Sequence, residues 1–264
     1  MKPLLSYHGG KQTIARHIVN LMPPHELYVE PFFGGGAVMF AKVPSRREII
    51  NDTYKPLVTF YRVMQDIEKR EQLIERLRFT PFSRAEYYRA MDLLKMPILD
   101  EISTAWAVFV GCHQSFGHSI GAGFAKSRGS KPQIIKAYKR TQERLYKTAD
   151  RLIEAEIWEE DALHIIDYFD TEETLFYCDP PYIGTNCGHY GGYSVEQYME
   201  LLQVLRDIKG TFILSGYPNP VADAMGFYVH DIEKTANFAN SRVREKHIER
   251  LWSNKPFATQ LRLL

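Results

Sequence analysis

Four consecutive residues with a defined chemistry, Asp179-Pro180-Pro181-Tyr182, follow an apolar run that is typical of a buried strand. The two prolines lack backbone N–H donors and stiffen the chain, so the carbonyl oxygens around them act as acceptors in a rigid loop. With the Asp179 carboxylate they form a cluster that only accepts hydrogen bonds, and Tyr182 adds a flat ring beside it. Such a cluster suits a planar base that carries an exocyclic amine. The alternative is a structural aspartate cap followed by a double-proline turn.

A second candidate segment, Glu30-Pro31-Phe32-Phe33-Gly34-Gly35-Gly36, also follows a short apolar strand. Its three glycines let the backbone approach a ligand closely and let the next helix begin tightly. No Gly-Lys-Ser/Thr follows, so this is not a triphosphate-binding loop. Asp52 ends the next strand, where an acid can accept hydrogen bonds from ribose hydroxyls. We therefore expect a cofactor site, with sheet packing as the alternative role of the glycines.

The elements that must position these segments follow an α/β order. We predict strands over residues 27–30 and 48–52, separated by the glycine turn and a helix starting near Ala37. Further strands are predicted over residues 174–178, 211–214, 227–232 and 249–252, with a helix over residues 195–208. In such a sheet, ligands bind at the carboxyl ends of the strands, where both candidate segments lie.

The middle of the chain reads as mostly helical. Apolar residues recur at three- and four-residue spacing over residues 57–79, 84–94, 102–112 and 132–153, and a basic loop rich in Gly and Ser interrupts them at residues 118–131. We therefore predict a catalytic α/β domain formed by residues 1–55 and 156–264, with residues 56–155 as an inserted helical domain.

Composition excludes several classes of protein. The 264 residues are 45% hydrophobic and 25% charged, which is ordinary globular composition. No stretch approaches the 18 apolar residues of a membrane span, and the N-terminus lacks the apolar run of a signal peptide. The three cysteines are widely spaced and form neither a disulfide framework nor a zinc pattern. We expect a cytoplasmic protein that holds no metal.

Charge is unevenly distributed along a chain whose formal net charge is only +1. Residues 126–151 carry nine Lys or Arg and two acids, whereas residues 152–173 carry nine acids and no Lys or Arg. Adjacent basic and acidic blocks suggest a molecule with one positive face. A solvated amphipathic helix is the alternative.

Taken together, five segments resemble, in order, the motifs of the Dam-like (class alpha) adenine-N6 DNA methyltransferases. They are Tyr7-His8-Gly9-Gly10-Lys11, Tyr28-Val29-Glu30-Pro31-Phe32-Phe33-Gly34-Gly35-Gly36, Asn51-Asp52, Glu160-Asp161-Ala162 and Asp179-Pro180-Pro181-Tyr182. The resemblance covers about residues 1–60 and 155–264. It implies a Rossmann-like S-adenosylmethionine-dependent methyltransferase sheet, with the insert as target-recognition domain.

The resemblance also implies roles for single residues. The Asp179 side chain and the Pro180 carbonyl would accept the two amine hydrogens of a flipped-out adenine, and Tyr182 would stack on it. The implied catalytic residues are Asp179, Pro180, Pro181 and Tyr182. The implied S-adenosylmethionine site comprises Tyr7, Lys11, Glu30, Pro31, Phe32, Gly34, Gly36, Asp52, Asp161 and Asp179. Two alternatives stay open: a surface lysine at a helix start for Lys11, and a helix N-cap for Asp161.

Duplex DNA is the implied macromolecular partner. The insert departs from the Gly-Tyr-Asn-Gly pattern associated with readers of GATC, so the target sequence stays open. Amide and hydroxyl side chains suit base edges, and we expect base contacts from His113, Gln114, Ser115 and His118, unless these are satisfied helix-end polar groups. Phosphate contacts are expected from Lys126, Arg128, Lys131, Lys136, Lys139 and Arg140. The class allows a cognate restriction endonuclease as a further partner, and it also allows an enzyme that acts alone, as in a phage.

Three other functions fit parts of the sequence. A methyltransferase for an RNA base or a protein glutamine amide would use the same acceptor cluster. A non-catalytic DNA-binding module could share the fold, although the intact Asp179 and Gly34–Gly36 loop argue against it. A nicotinamide oxidoreductase would use the glycine turn but leaves residues 179–182 unexplained.

Overall fold

The computed structural model describes residues 1–98, 100–125, 139–140, 144–183, 192–236 and 245–258. The strands are β1 Leu27–Glu30, β2 Arg47–Asn51, β3 Glu156–Trp158, β4 Thr174–Cys178, β5 Thr211–Gly216, β6 Tyr228–Ala236 and β7 Glu245–Ser253. The α-helices are α1 Ala15–Asn20, α2 Lys55–Gln65, α3 Ile67–Arg78, α4 Arg84–Leu93, α5 Glu101–Gln114, α6 Leu145–Leu152, α7 Ala162–Tyr168, α8 Val195–Asp207 and α9 Pro220–Asp223. Short 3-10 helices cover Met39–Ala41 and Phe116–His118.

The described strands form one sheet in the order β3-β2-β1-β4-β5-β7-β6. Neighbours from β3 to β5 are parallel, whereas β7 runs antiparallel to both β5 and β6. The chain steps outward from β1 to β2 and β3, then returns to the other side of β1 with β4. Ligands bind at such a reversal of strand order. The reversal places the carboxyl ends of β1 and β4, and hence the two candidate segments, side by side.

Alternate residues of the central strands enter the cores on opposite faces of the sheet, as the two-residue period of a strand requires. In β4, Leu175 and Tyr177 join the larger core, which also contains the insert helices, and Phe176 and Cys178 join the core that α7 and α8 cover. All four are buried. Burying a side chain such as Phe176 contributes roughly 1.5–3 kcal/mol, so helices on both faces hold the central strands firmly in place.

The predicted strands of the α/β part are confirmed, two predictions about helices were wrong, and one strand was missed. The single helix expected over residues 57–79 is two helices, because Asp66 caps α3 by accepting from the Lys69 amide at 3.0 Å. The helix expected near Ala37 is one 3-10 turn, Met39–Ala41, because Pro44 follows too soon for an α-helix to form. Strand β3 was missed, since only three residues in an acidic run form it.

The insert packs on the sheet as part of one continuous core. Leu57 and Phe60 of α2 lie in the same cluster as Tyr28 of β1. The Gln65 amide donates to the carbonyls of Leu152 and Ala155 at 2.7 and 2.6 Å, which ties α2 to the end of the insert. The domain limits at residues 55 and 156 stay a prediction.

No helix among the described residues is both long and apolar enough to cross a bilayer.

Candidate active site

One cleft of about 390 Å³ lies at the carboxyl ends of the parallel strands, within the usual size range of small-molecule sites. Its walls come from the N-terminal segment, the loops after β1, β2 and β4, the start of α7, and the turn that follows α5. Every residue predicted to bind cofactor or to act in catalysis lines this cleft: Tyr7, Lys11, Glu30, Pro31, Phe32, Gly34, Gly36, Asp52, Asp161, Asp179, Pro180, Pro181 and Tyr182.

The glycine loop after β1 needs its glycines for conformation and for space. Gly34 and Gly36 have φ angles of +50° and +64°, a region that side chains disfavour. A Cβ on Gly35 would lie 2.8 Å from the Tyr7 Cβ, and one on Gly36 would overlap the Phe33 ring. The loop therefore packs directly against the N-terminal segment, which fixes Tyr7 over it.

Asp52 secures the same loop from the end of β2. One carboxylate oxygen accepts from the Gly34 amide and the other from the Tyr54 amide, both at 2.9 Å. From the opposite side, the Tyr61 hydroxyl donates to the Gly34 carbonyl at 2.8 Å. These bonds hold the Asp52 carboxylate at the cleft wall. The sequence analysis predicted that this carboxylate accepts hydrogen bonds from ribose hydroxyls.

Asn51, which is buried, joins three strand ends. Its amide donates to the carbonyls of Pro31 and Glu160 at 2.9 and 3.0 Å, and its oxygen accepts from the Glu160 amide at 2.9 Å. This bridge brings Asp161 to the cleft. Asp161 also accepts from the Leu163 amide at 2.8 Å, so its alternative role as the N-cap of α7 is confirmed.

The Asp179 carboxylate faces the cleft with 20% of its side chain exposed. The Lys11 ammonium contacts both of its oxygens, at 2.5 and 2.6 Å, and the Ser215 hydroxyl donates to one of them at 3.0 Å. Lys11 is only 2% exposed, so the surface-lysine alternative was wrong. The turn at Gly9, with φ +75°, directs the chain inward, and Lys11 also donates to the Gly9 carbonyl at 3.2 Å.

A second carboxylate, Glu249 of β7, lies behind this ion pair and was not predicted from the sequence. It is 1% exposed, lies 3.4 Å from the Lys11 ammonium, and accepts from the Tyr182 hydroxyl at 2.7 Å. The sequence carries no clear signal for it, because its apolar neighbour Ile248 is 40% exposed whereas both Leu251 and Trp252 are buried. A buried carboxylate requires a partner.

The charged groups of this cluster change one another's pKa values. Burial alone would lower the pKa of Lys11, but the carboxylates of Asp179 and Glu249 outweigh it and the pKa is raised. Burial raises the pKa of Asp179, and Glu249 adds to that rise, whereas Lys11 opposes it. The ammonium is therefore charged at neutral pH and shared between two carboxylates.

Glu30 is another buried carboxyl group that lines the cleft. It is 1% exposed, and burial raises its pKa to about 8. One of its oxygens accepts from the Tyr28 hydroxyl at 2.6 Å and from the Met39 amide at 2.7 Å. These bonds favour the ionised form but do not overcome burial, so Glu30 is largely protonated at neutral pH.

The structure corrects the placement of three predicted base-reading residues, His113, Gln114 and Ser115, which are 8%, 0% and 2% exposed. The Gln114 side chain accepts from the Ser83 amide at 3.1 Å and donates to the Pro81 carbonyl at 3.0 Å. The His113 ring contacts the Leu4 carbonyl at 3.1 Å, and burial lowers its pKa to about 3. Since these groups bond inside the protein, the alternative of satisfied helix-end polar groups describes His113 and Gln114.

The other predicted DNA contacts differ in position. His118 is exposed at the cleft, in a turn where both Gly117 and His118 have positive φ angles. Lys139 and Arg140 are exposed. Lys126, Arg128, Lys131 and Lys136 lie outside the described residues.

Comparisons with known proteins show which family the chain resembles. Residues 7–250 match the family model of the D12 class N6 adenine-specific DNA methyltransferases. A type II methyltransferase of Lactococcus lactis subsp. cremoris, M1.LlaDCHI, is 30% identical, and the match covers 96% of this chain and 95% of the relative. A DNA N-6-adenine-methyltransferase of Escherichia phage P1 is 24% identical, over 83% of this chain and 30% of its own length.

Proposed function

This chain belongs to the D12 class N6 adenine-specific DNA methyltransferase family, and we propose that its cleft holds the target adenine at Asp179–Tyr182 and S-adenosylmethionine beside the glycine loop. The reaction is transfer of a methyl group to N6 of adenine in DNA. One observation carries the assignment of roles. The partly exposed Asp179 carboxylate and the glycine loop line the same cleft, because β4 lies next to β1.

The residues around the glycine loop fit S-adenosylmethionine. Gly34 and Gly36 line the cleft, and their positive φ angles set the course of the loop along its wall. Asp52 and Asp161 supply acceptors for the ribose hydroxyls and for the amine of the cofactor's adenine. When bound, S-adenosylmethionine supplies a methyl group on a sulfonium that is already activated for displacement.

Asp179 and Pro180 act on the target adenine. The lone pair of its amine is delocalised into the ring, which makes the amine a weak nucleophile. The Asp179 carboxylate and the Pro180 carbonyl accept its two hydrogens and turn the lone pair toward the methyl donor. Alignment of this kind lowers the barrier by on the order of 7–11 kcal/mol at best.

Tyr182 holds the flipped base. Moving a base out of the duplex costs a few kcal/mol, and stacking on an aromatic ring offsets roughly 1–3 kcal/mol of that. The Tyr182 ring has little freedom, because its hydroxyl is bonded to Glu249 and its centroid lies 4.6 Å from that of Tyr217. A ring fixed in this way loses little entropy when a base stacks on it.

The exposed Lys139 and Arg140 contact DNA phosphates in this proposal, and His118 lies where it can reach the DNA at the mouth of the cleft. With DNA as substrate, the enzyme acts in the cytoplasm of a bacterium or of a phage-infected cell. A cognate restriction endonuclease acting separately remains a prediction.

The experiment that tests the function presents purified protein and methyl-labelled S-adenosylmethionine with duplex DNA, RNA and protein in parallel. We expect label on DNA only. Methylation-sensitive long-read sequencing of DNA from expressing cells then reports the base and its context. Label on RNA or protein alone would support the alternative substrates, and failure to bind S-adenosylmethionine in calorimetry would support a non-catalytic DNA-binding module.

A further inference from the structure

Glu249 has no role in the function proposed above, although it lies in the same cluster. Its Oε1 atom is 3.4 Å from the Lys11 ammonium and accepts from the Tyr182 hydroxyl at 2.7 Å. Both Lys11 and Glu249 are almost fully buried, at 2% and 1% exposure. Burying an unpaired carboxylate costs free energy. The presence of Glu249 beside the loop of residues 179–182 therefore has to be explained.

The Lys11 ammonium opposes the reaction when it is paired with Asp179 alone, and Glu249 can offset this effect. The ammonium contacts both oxygens of Asp179, the group proposed to receive the adenine amine. The amine gains positive charge as it attacks a sulfonium methyl group. If Lys11 were paired with Asp179 alone, the two charges would cancel and nothing would stabilise the positive charge on the amine.

With Glu249 present, one ammonium faces two carboxylates and the ionised cluster has a net charge of −1. The ammonium can also shift toward Glu249, which is already within ion-pair distance, when adenine takes up the Asp179 oxygens. Lys11 then never becomes a buried unpaired charge, a state that is strongly unfavourable. Both effects act through Lys11.

Building on the proposed function, we propose that Glu249 is a positioning residue for methyl transfer, which draws the Lys11 ammonium away from Asp179 and keeps the cluster negative beside the adenine amine. It does not touch the substrate. Its hydrogen bond from Tyr182 also fixes the ring on which the base stacks.

The test is the single-turnover rate of methyl transfer to duplex DNA by the full chain. Glu249→Gln keeps the shape and the acceptor for Tyr182 but removes the charge. We expect the rate to fall roughly ten- to hundredfold, the range of lost electrostatic stabilisation of a transition state. Dissociation constants for S-adenosylmethionine and DNA should stay within about threefold, because Glu249 contacts neither. A wild-type rate in folded Glu249→Gln would overturn the proposal.

A double-mutant cycle separates positioning from a general structural role. In a Lys11→Met background, Glu249→Gln should cause no further decrease, since no ammonium remains to be positioned. An equal decrease in both backgrounds would overturn the proposal. The matched control is Glu48→Gln, which removes a buried carboxylate paired with Lys42 and Arg151, away from the cleft. It should lower the melting temperature and leave the rate of the folded enzyme unchanged.

Glu249→Asp covers the case in which Glu249→Gln does not fold. It retains the charge but moves it about one methylene away from Lys11, and we expect a rate loss of roughly three- to tenfold with unchanged binding. An unchanged rate would overturn the proposal. Failure of the proposed function is visible separately, since wild-type protein would then methylate no DNA, and that result overturns both.

Discussion

The predicted functional residues at the strand ends of the α/β part reach the cleft, whereas most of those at the end of helix α5 in the insert do not. At the strand ends, every predicted cofactor and catalytic residue lines one cleft, which Tyr7 and Lys11 of the N-terminal segment also line. At the end of α5, His113, Gln114 and Ser115 are buried, and only His118 in the following turn reaches the cleft. Position at a strand end thus indicates access to a ligand, whereas a polar residue at a helix end does not.

The reason lies in how each element is surrounded. Parallel strands covered on both faces leave only their ends to meet a ligand. Helix α5 is buried at every residue from Thr104 to Gln114, so its last turn is also core. Its continuous apolar sequence, Thr104-Ala105-Trp106-Ala107-Val108-Phe109-Val110-Gly111-Cys112, carried that signal, because a helix that is apolar on all sides lies inside a protein.

Asp179→Ala has the largest expected effect and tests the strand-end half of the comparison. Methyl transfer should fall at least about 10³-fold, because both the acceptor and the negative charge that align and stabilise the amine are lost. S-adenosylmethionine binding, measured by calorimetry, should fall much less. Glu172→Ala, an exposed acid before β4, is the control and should be fully active in a tritiated-methyl assay. Activity near that of the control in Asp179→Ala would refute the assignment.

Glu30→Gln tests whether a strand-end carboxyl is held protonated. Between pH 4.5 and about 8 the folded protein retains this proton and the unfolded chain releases it, so wild-type stability falls as pH rises. Relative to Glu30→Gln, the loss should be roughly 1.4 kcal/mol per pH unit, measured by urea unfolding at pH 5, 6.5 and 8.

The control for Glu30 is Glu48→Gln, whose stability difference from wild type should stay constant between pH 5 and 8 and shrink only below that range. Arg151 and Lys42 outweigh the effect of burial and lower the pKa of Glu48, so its contribution to stability is lost as pH falls. If the difference between wild type and Glu30→Gln were constant over this pH range, the raised pKa would be wrong.

Gln114→Ala tests the insert half of the comparison. It removes the hydrogen-bond partners of two partly buried backbone groups, the Ser83 amide and the Pro81 carbonyl, and should destabilise the protein by about 1–3 kcal/mol. The methylated sequence should not change. His118→Asn, which tolerates the positive φ, should leave stability within about 0.5 kcal/mol. A stable Gln114→Ala protein with altered sequence preference would reverse the comparison.

The double substitution Lys139→Ala, Arg140→Ala has the smallest expected effect. Removing two cations from DNA phosphates should reduce the slope of log affinity against log salt by about 2 and weaken DNA binding at least several-fold at moderate salt. Lys209→Ala, at the amino end of β5 and opposite the cleft, is the control and should change neither quantity. Equal slopes for the control and the double variant would exclude these two residues from the phosphate contacts.

The fold was predictable where its signals are local. The apolar run before Asp179 and the glycines after β1 each mark a strand end, and the order of strands and helices predicted an α/β sheet. The helix expected near Ala37 was wrong and strand β3 was missed, because a glycine turn close to a proline and a three-residue strand in an acidic run carry weak periodic signals.

By itself, the sequence determined the reaction chemistry: an acceptor-only loop after one strand, a glycine loop after another, and their order along the chain. Only the tertiary structure decided that Lys11 pairs with Asp179, 168 residues away, and that Glu249 lies behind them. Those contacts depend on which strands become neighbours and which faces are covered. Burial then sets the electrostatics, since the same carboxylate has a different pKa in water and in the interior of a protein.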